Sequence, residues 1–251
     1  MSSRKTFDLS SPATITSAQE APAHGTPAVS TDDRATADSR PSKALSFRRG
    51  FLVAAPVLAG VLATVGAVAD PAAGISGDAM IRIYADNMDR LQYKSLAYHW
   101  SYAFWILPAM LIVPMVRGRG AWLATITGFI GFLGVSTMPG LLMSDFFDSA
   151  IGAAHGIEGH REVLDALEGL WGVPAFILPG ILGLLLALPL AMITLWRAGL
   201  ARWWGFAAAV AAMAAFLVSD ATWPGTVIAT LFLGVVSLTF AKATQPARRT
   251  A

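Results

Sequence analysis

The 251-residue chain contains no cysteine. Disulfides, thiolate metal centres and cysteine nucleophiles are therefore excluded. Charge is scarce too: Asp, Glu, Lys and Arg make up 14% of the residues, against about a quarter in soluble domains. The scarcity is uneven. Six apolar runs, 51–69, 98–116, 121–143, 170–196, 203–219 and 225–241, contain no Asp, Glu, Lys or Arg at all. Proton-coupled carriers, pumps and voltage sensors need ionisable groups inside the membrane, so this lack counts against them. The GxSxG and HExxH signatures of serine and zinc hydrolases are also missing.

What the chain has instead is apolar residues, 55% of the total, with a mean hydropathy of +0.57. A run of about 20 apolar residues crosses the hydrocarbon core as a helix, so lipid is the solvent expected for most of the chain. The expectation is an all-α, multi-pass protein of the cell membrane with six transmembrane helices over residues 46–241. Residues 1–45, rich in Ser, Thr, Ala and Pro, read as a disordered cytoplasmic tail, because they cannot bury enough apolar surface to offset the entropy of ordering. Residues 242–251 read as a second cytoplasmic tail. Arg48, Arg49, Phe51 and Leu52 resemble a twin-arginine export signal, and Ala67, Val68 and Ala69 a small-residue cleavage site. Cleavage there would leave five spans beginning at Asp70; a retained first span is preferred, since polytopic proteins rarely need a cleavable signal.

Between spans 1 and 2, Ile81, Tyr84, Met88, Leu91 and Ser95 recur at three- and four-residue steps, while Asp78, Arg82, Asp86, Asp89 and Arg90 occupy other faces. This spacing predicts an amphipathic outer helix over 77–97. Pro108 and Pro114 should kink span 2, and Pro174, Pro179 and Pro189 span 4. Gly128, Gly131, Gly134, Gly180 and Gly183 lie within apolar runs with no strand before them, which favours close helix packing over a nucleotide loop.

Charge fixes the expected orientation. With the N-terminus inside, all 18 basic residues except Arg82, Arg90, Lys94 and Arg161 fall on the inner side. Of the 16 acidic residues, five lie in the tail and the rest in outer segments. Basic residues gather on the cytoplasmic side, so both ends should face the cytoplasm. The same distribution accounts for a pI near 9.2 at a net charge of only +2 and argues against a nucleic-acid partner. All eight tryptophans are expected at run ends, as interfacial belts. The partner read from the sequence is the bilayer, with a homo-oligomer or another membrane protein left open.

The longest polar interruption, residues 144–168, holds the remaining candidates. Asp145 and Asp148 follow span 3, His155, Glu158 and His160 sit mid-stretch, and Glu162, Asp165 and Glu168 lead into span 4. His99 is one residue inside the outer end of span 2. Imidazole and carboxylate suit divalent cations, so His155, His160, Asp145, Asp148 and His99 are candidate metal ligands, with a divalent ion as candidate cofactor. Gly156 and Gly159 argue against one continuous helix there. No catalytic residue is assigned. Three functional readings follow in order: a non-enzymatic sensor or accessory subunit whose outer loop binds a cation or partner, a channel or carrier for a neutral or lipid-like solute, and a membrane-embedded metal-dependent enzyme.

Overall fold

The computed structural model describes residues 43–245, and within them the chain is all-helical. The helices are α1 (Lys43–Ala69), α2 (Asp78–Asp86), α3 (Met88–Ile106), α4 (Pro108–Leu111), α5 (Ala121–Leu141), α6 (Met143–Glu168), α7 (Gly172–Arg197), α8 (Trp204–Val218) and α9 (Trp223–Ala243), with a 3-10 turn over Val113–Met115. Of the expected tails, 1–45 and 242–251, residues 1–42 and 246–251 lie outside the described residues, while 43–45 and 242–243 are helical rather than tail. Helix α1 starts at Lys43, earlier than its apolar run, and α9 ends at Ala243.

Five stretches are long and apolar enough to cross a membrane: Lys43–Ala69, Met88–Met115, Ala121–Glu168, Gly172–Arg197 and Trp223–Ala243. The protein is therefore membrane-embedded by length and composition. The run at 203–219 differs. Its helix, α8, has 15 residues, about 22 Å at 1.5 Å per residue and short of a ~30 Å hydrocarbon core. It ends where Asp220 and Ala221 take left-handed φ values of 50° and 52°. The carbonyl of Ala221 accepts the Tyr98 hydroxyl of α3 at 3.0 Å, which ties this turn to the far helix.

Helix α5 packs on α7, α1 lies against both α9 and α3, α8 pairs with α9, and α2 lies on α6. The α5–α7 seam is made by glycines. A Cβ built on Gly134 would stand 2.7 Å from the Cα of Gly183, and one on Gly183 would meet the Cα and N of Gly134 and the Ile130 carbonyl. No side chain fits between backbones this close, which is the packing role the glycine spacing predicts. At the α1–α9 seam Thr64 Oγ1 lies 3.4 Å from Thr230 Oγ1, and at the α1–α3 seam the Ser101 hydroxyl donates to the Ala59 carbonyl at 2.7 Å. Trp105, Ile106, Leu188, Met192, Leu195 and Phe240, each no more than 2% exposed, fill the centre.

Three local expectations are corrected. The amphipathic stretch 77–97 is two helices, because Asn87 leaves helical geometry (φ −128°, ψ 42°) and its amide donates to the Ile83 carbonyl at the end of α2. The residues from Met88 onward continue directly into span 2, so Lys94 lies within that long helix. Span 2 itself breaks at both prolines, as expected, into α3, α4 and the 3-10 turn, since proline lacks the N–H that would continue each ladder. Finally, Trp105 is not in an interfacial belt: it is buried against Phe216, ring centroids 5.9 Å apart, while the other seven tryptophans are exposed.

Candidate functional site

Residues 144–168 are not a loop. They form α6, broken once at Gly156, whose φ of 68° and ψ of −169° lie outside helical space, in a region only glycine enters freely. The helix is kinked there. This break brings His160, one turn past it, to Asp148 before it, with Nε2 3.2 Å from Oδ1. His160 is buried. The next residue, Arg161, bonds Asp78 in the first turn of α2 and Glu158 at 3.4 Å, so the second half of α6 is tied to α2.

A second polar cluster joins four segments. Asp70, just past α1, accepts the Ala72 N–H at 2.9 Å and the Tyr84 hydroxyl of α2 at 3.4 Å. Lys94 Nζ on α3 donates to Tyr84 at 2.9 Å and to Asp145 Oδ2 on α6 at 3.0 Å. The Ser95 hydroxyl donates to the same oxygen at 2.6 Å. The Lys94 and Asp145 side chains are only 12% and 15% exposed, so each charge depends on the other. Burial pushes the Tyr84 phenol above its ordinary 10.0, with Lys94 pulling the other way. The phenol therefore stays protonated and passes the chain of bonds on to Asp70.

Of the five residues read as candidate metal ligands, only Asp148 and His160 meet. Asp145 is paired with Lys94 and Ser95, and Asp148 with His160. His99 places Nδ1 3.0 Å from the Pro139 carbonyl, which makes Nδ1 the protonated nitrogen, and its ring lies edge-on to Trp100. His155, the residue just before the break, is exposed. Among the described residues no group of three or more His, Asp or Glu is arranged to hold a metal ion. The chemistry on view is cross-linking: ion pairs and hydrogen bonds that lock α2, α3 and α6 together. The residues that sequence reasoning missed are Asp70, Tyr84, Lys94 and Ser95. The one available signal was Lys94, among the few basic residues outside the inner segments.

No family model matches the chain, and neither a curated protein nor a solved structure matches it.

Around these pairs the second half of α6 carries two faces. Glu158, Glu162, Asp165 and Glu168 are exposed on one. Val163, Leu164 and Leu167 lie on the other and are still 38–42% exposed, continued by Leu170 and Trp171, the latter 87% exposed.

Proposed function

We propose that the protein is a non-enzymatic accessory subunit of the cell membrane, crossing it six times with both ends in the cytoplasm and docking a membrane partner through the outer end of α6. The observation that carries this reading is the stripe Val163, Leu164 and Leu167, an apolar surface left open on a helix that two sets of polar contacts hold in place. Apolar patches rimmed by charge mark interaction sites. A carrier would need a path through a centre occupied by Trp105, Leu188, Met192 and Phe240, and an enzyme would need convergent reactive groups.

Six passes are supported by which segments meet. Leu200 shares a crevice with Arg48, Arg49 and Gln245, and Arg119 shares one with Arg197, so the start of α1, the end of α9 and the two basic turns lie at one end of the bundle. Tyr98 and Ala221 meet at the other. A helix between these two ends, short as it is, supports a sixth pass by α8, and the distribution of Lys and Arg supports a cytoplasmic basic end.

Two measurements test the proposal. Reporter fusions after Arg119 and after Gly159 should report opposite sides of the membrane; the same side for both refutes the orientation. A photo-crosslinking residue at Leu164 or Leu167 should give a protein adduct of discrete mass, either a second copy or another membrane protein, that is absent when the probe is at Val210. Adducts with lipid alone would show that the stripe rests in the bilayer interface instead.

A further inference from the structure

At the basic end, the turn between α7 and α8 stands among three crevices lined by cations. One holds Arg48 and Arg49, a second Arg119 and Arg197, and the third Arg202 and Lys242. The third is the largest, about 600 Å³ against 270 and 320 Å³ for the others. It lies between the start of α8 and the end of α9 and is walled by the turn Gly199–Arg202, Trp204, Val235, Leu238, Thr239 and Lys242.

Two features of this crevice point to one kind of occupant. Its cations have no ion-pair partner among the described residues, where no ion pair involves Arg202 or Lys242. Its floor runs away from the charges along α9, past Thr239 to Val235 and Leu238, which are 41% and 63% exposed on a helix apolar enough to cross the membrane. Positive charge at the membrane surface, continued by an apolar track into the hydrocarbon, matches an amphiphile with an anionic head and an acyl tail. Trp204, exposed at the rim and stacked on Trp203 with ring centroids 4.0 Å apart, marks the headgroup level.

We propose that this crevice is a binding site for an anionic phospholipid, its phosphate held by Arg202 and Lys242 and one acyl chain laid along Val235 and Leu238. Basic pockets between transmembrane helices select such headgroups. A free phosphate would use the cations and leave the apolar track empty. The proposal rests on membrane embedding alone and is independent of what docks on α6.

The test is native mass spectrometry of the full-length protein in detergent, titrated with phosphatidylglycerol or phosphatidylcholine. Wild-type protein should retain phosphatidylglycerol in preference to phosphatidylcholine. The Arg202→Gln, Lys242→Gln double variant should lose roughly thirtyfold in phosphatidylglycerol affinity, as expected for two interfacial cations. An Arg202→Lys, Lys242→Arg variant should keep it, and so should Arg119→Gln, Arg197→Gln, which empties a neighbouring crevice of charge. Equal retention of the two lipids, an unaffected Gln variant, or full displacement by millimolar inorganic phosphate would each overturn the assignment. Should the Gln variant fail to purify as a single species, wild-type protein still decides: phosphatidylglycerol, and not phosphatidylcholine, should slow amide exchange over 198–204 and 235–243, and no slowing refutes the site.

Discussion

A Gly183→Ala protein should unfold in detergent at a visibly lower midpoint than the wild type, and Gly183→Leu should not hold the α5–α7 seam at all. The added Cβ meets the Cα and N of Gly134 and the carbonyl of Ile130. All three are backbone atoms of a helix, so relief requires the helices to move apart. Overpacking of this kind costs about 1–3 kcal/mol for a small group and more for a large one, and separation also forfeits dispersion contacts along the rest of the seam. Two internal controls isolate the effect. Nothing lies within 4 Å of a Cβ at Gly140 or Gly234, so alanine there should be neutral or stabilise by about 0.5–1 kcal/mol, through the helix propensity that glycine lacks. If Gly183→Ala unfolds with those controls, the seam is looser than described.

The second large effect is expected at Lys94 and Asp145. Asp145→Ala removes the partner of an ammonium that is 12% exposed and leaves the Ser95 hydroxyl, on a residue 1% exposed, without its acceptor. Breaking a buried pair from one side costs about 3–5 kcal/mol, and the remaining solvent contact brings the expectation here to about 2–4 kcal/mol. The companion result separates this from simple loss of volume. Replacing both partners with apolar residues, Lys94→Met with Asp145→Leu, should recover most of the loss, because no unpaired charge then remains buried. A double-mutant cycle in detergent measures the coupling. A value under about 0.5 kcal/mol would mean that the pair behaves as an exposed surface bridge.

How far the chain could be read in advance follows the range of the forces involved. Helical class and the apolar runs are local properties of consecutive residues, and they were legible from residue 51 to residue 241. Proline breaks in span 2 and the glycine break at position 156 were legible for the same reason, each being a backbone property of one residue, although the same property leaves α7 a single helix through Pro179 and Pro189. Helix ends were less so. Nothing between Lys43 and Phe51 disfavours a helix, so α1 extends past its apolar run, and the end of α2 depends on a hydrogen bond that Asn87 makes to its own preceding turn. The candidate site was legible as a region but not as a set of partners. Lys94 and Asp145 are 51 positions apart, and nothing in either neighbourhood announces the other. His155 and His160 are close in sequence, yet the break at Gly156 gives His160 to Asp148 and leaves His155 outside. Trp105 was misplaced because an aromatic belt is a statement about averages, whereas its burial depends on α8 supplying Phe216.

The pairing of α1 with α9 has a consequence for how the protein is made. Thr64 and Thr230 face each other across 166 positions, so the face that α1 presents to α9 has no partner until α9 has left the ribosome. At about 5–20 residues per second, the first helix waits roughly ten to thirty seconds for the last. During that interval its small-residue face is open to lipid, to the insertion machinery or to a neighbouring nascent chain. Closure of the bundle is thus a late event in biosynthesis, and a chain released before residue 223 lacks the helix that completes it.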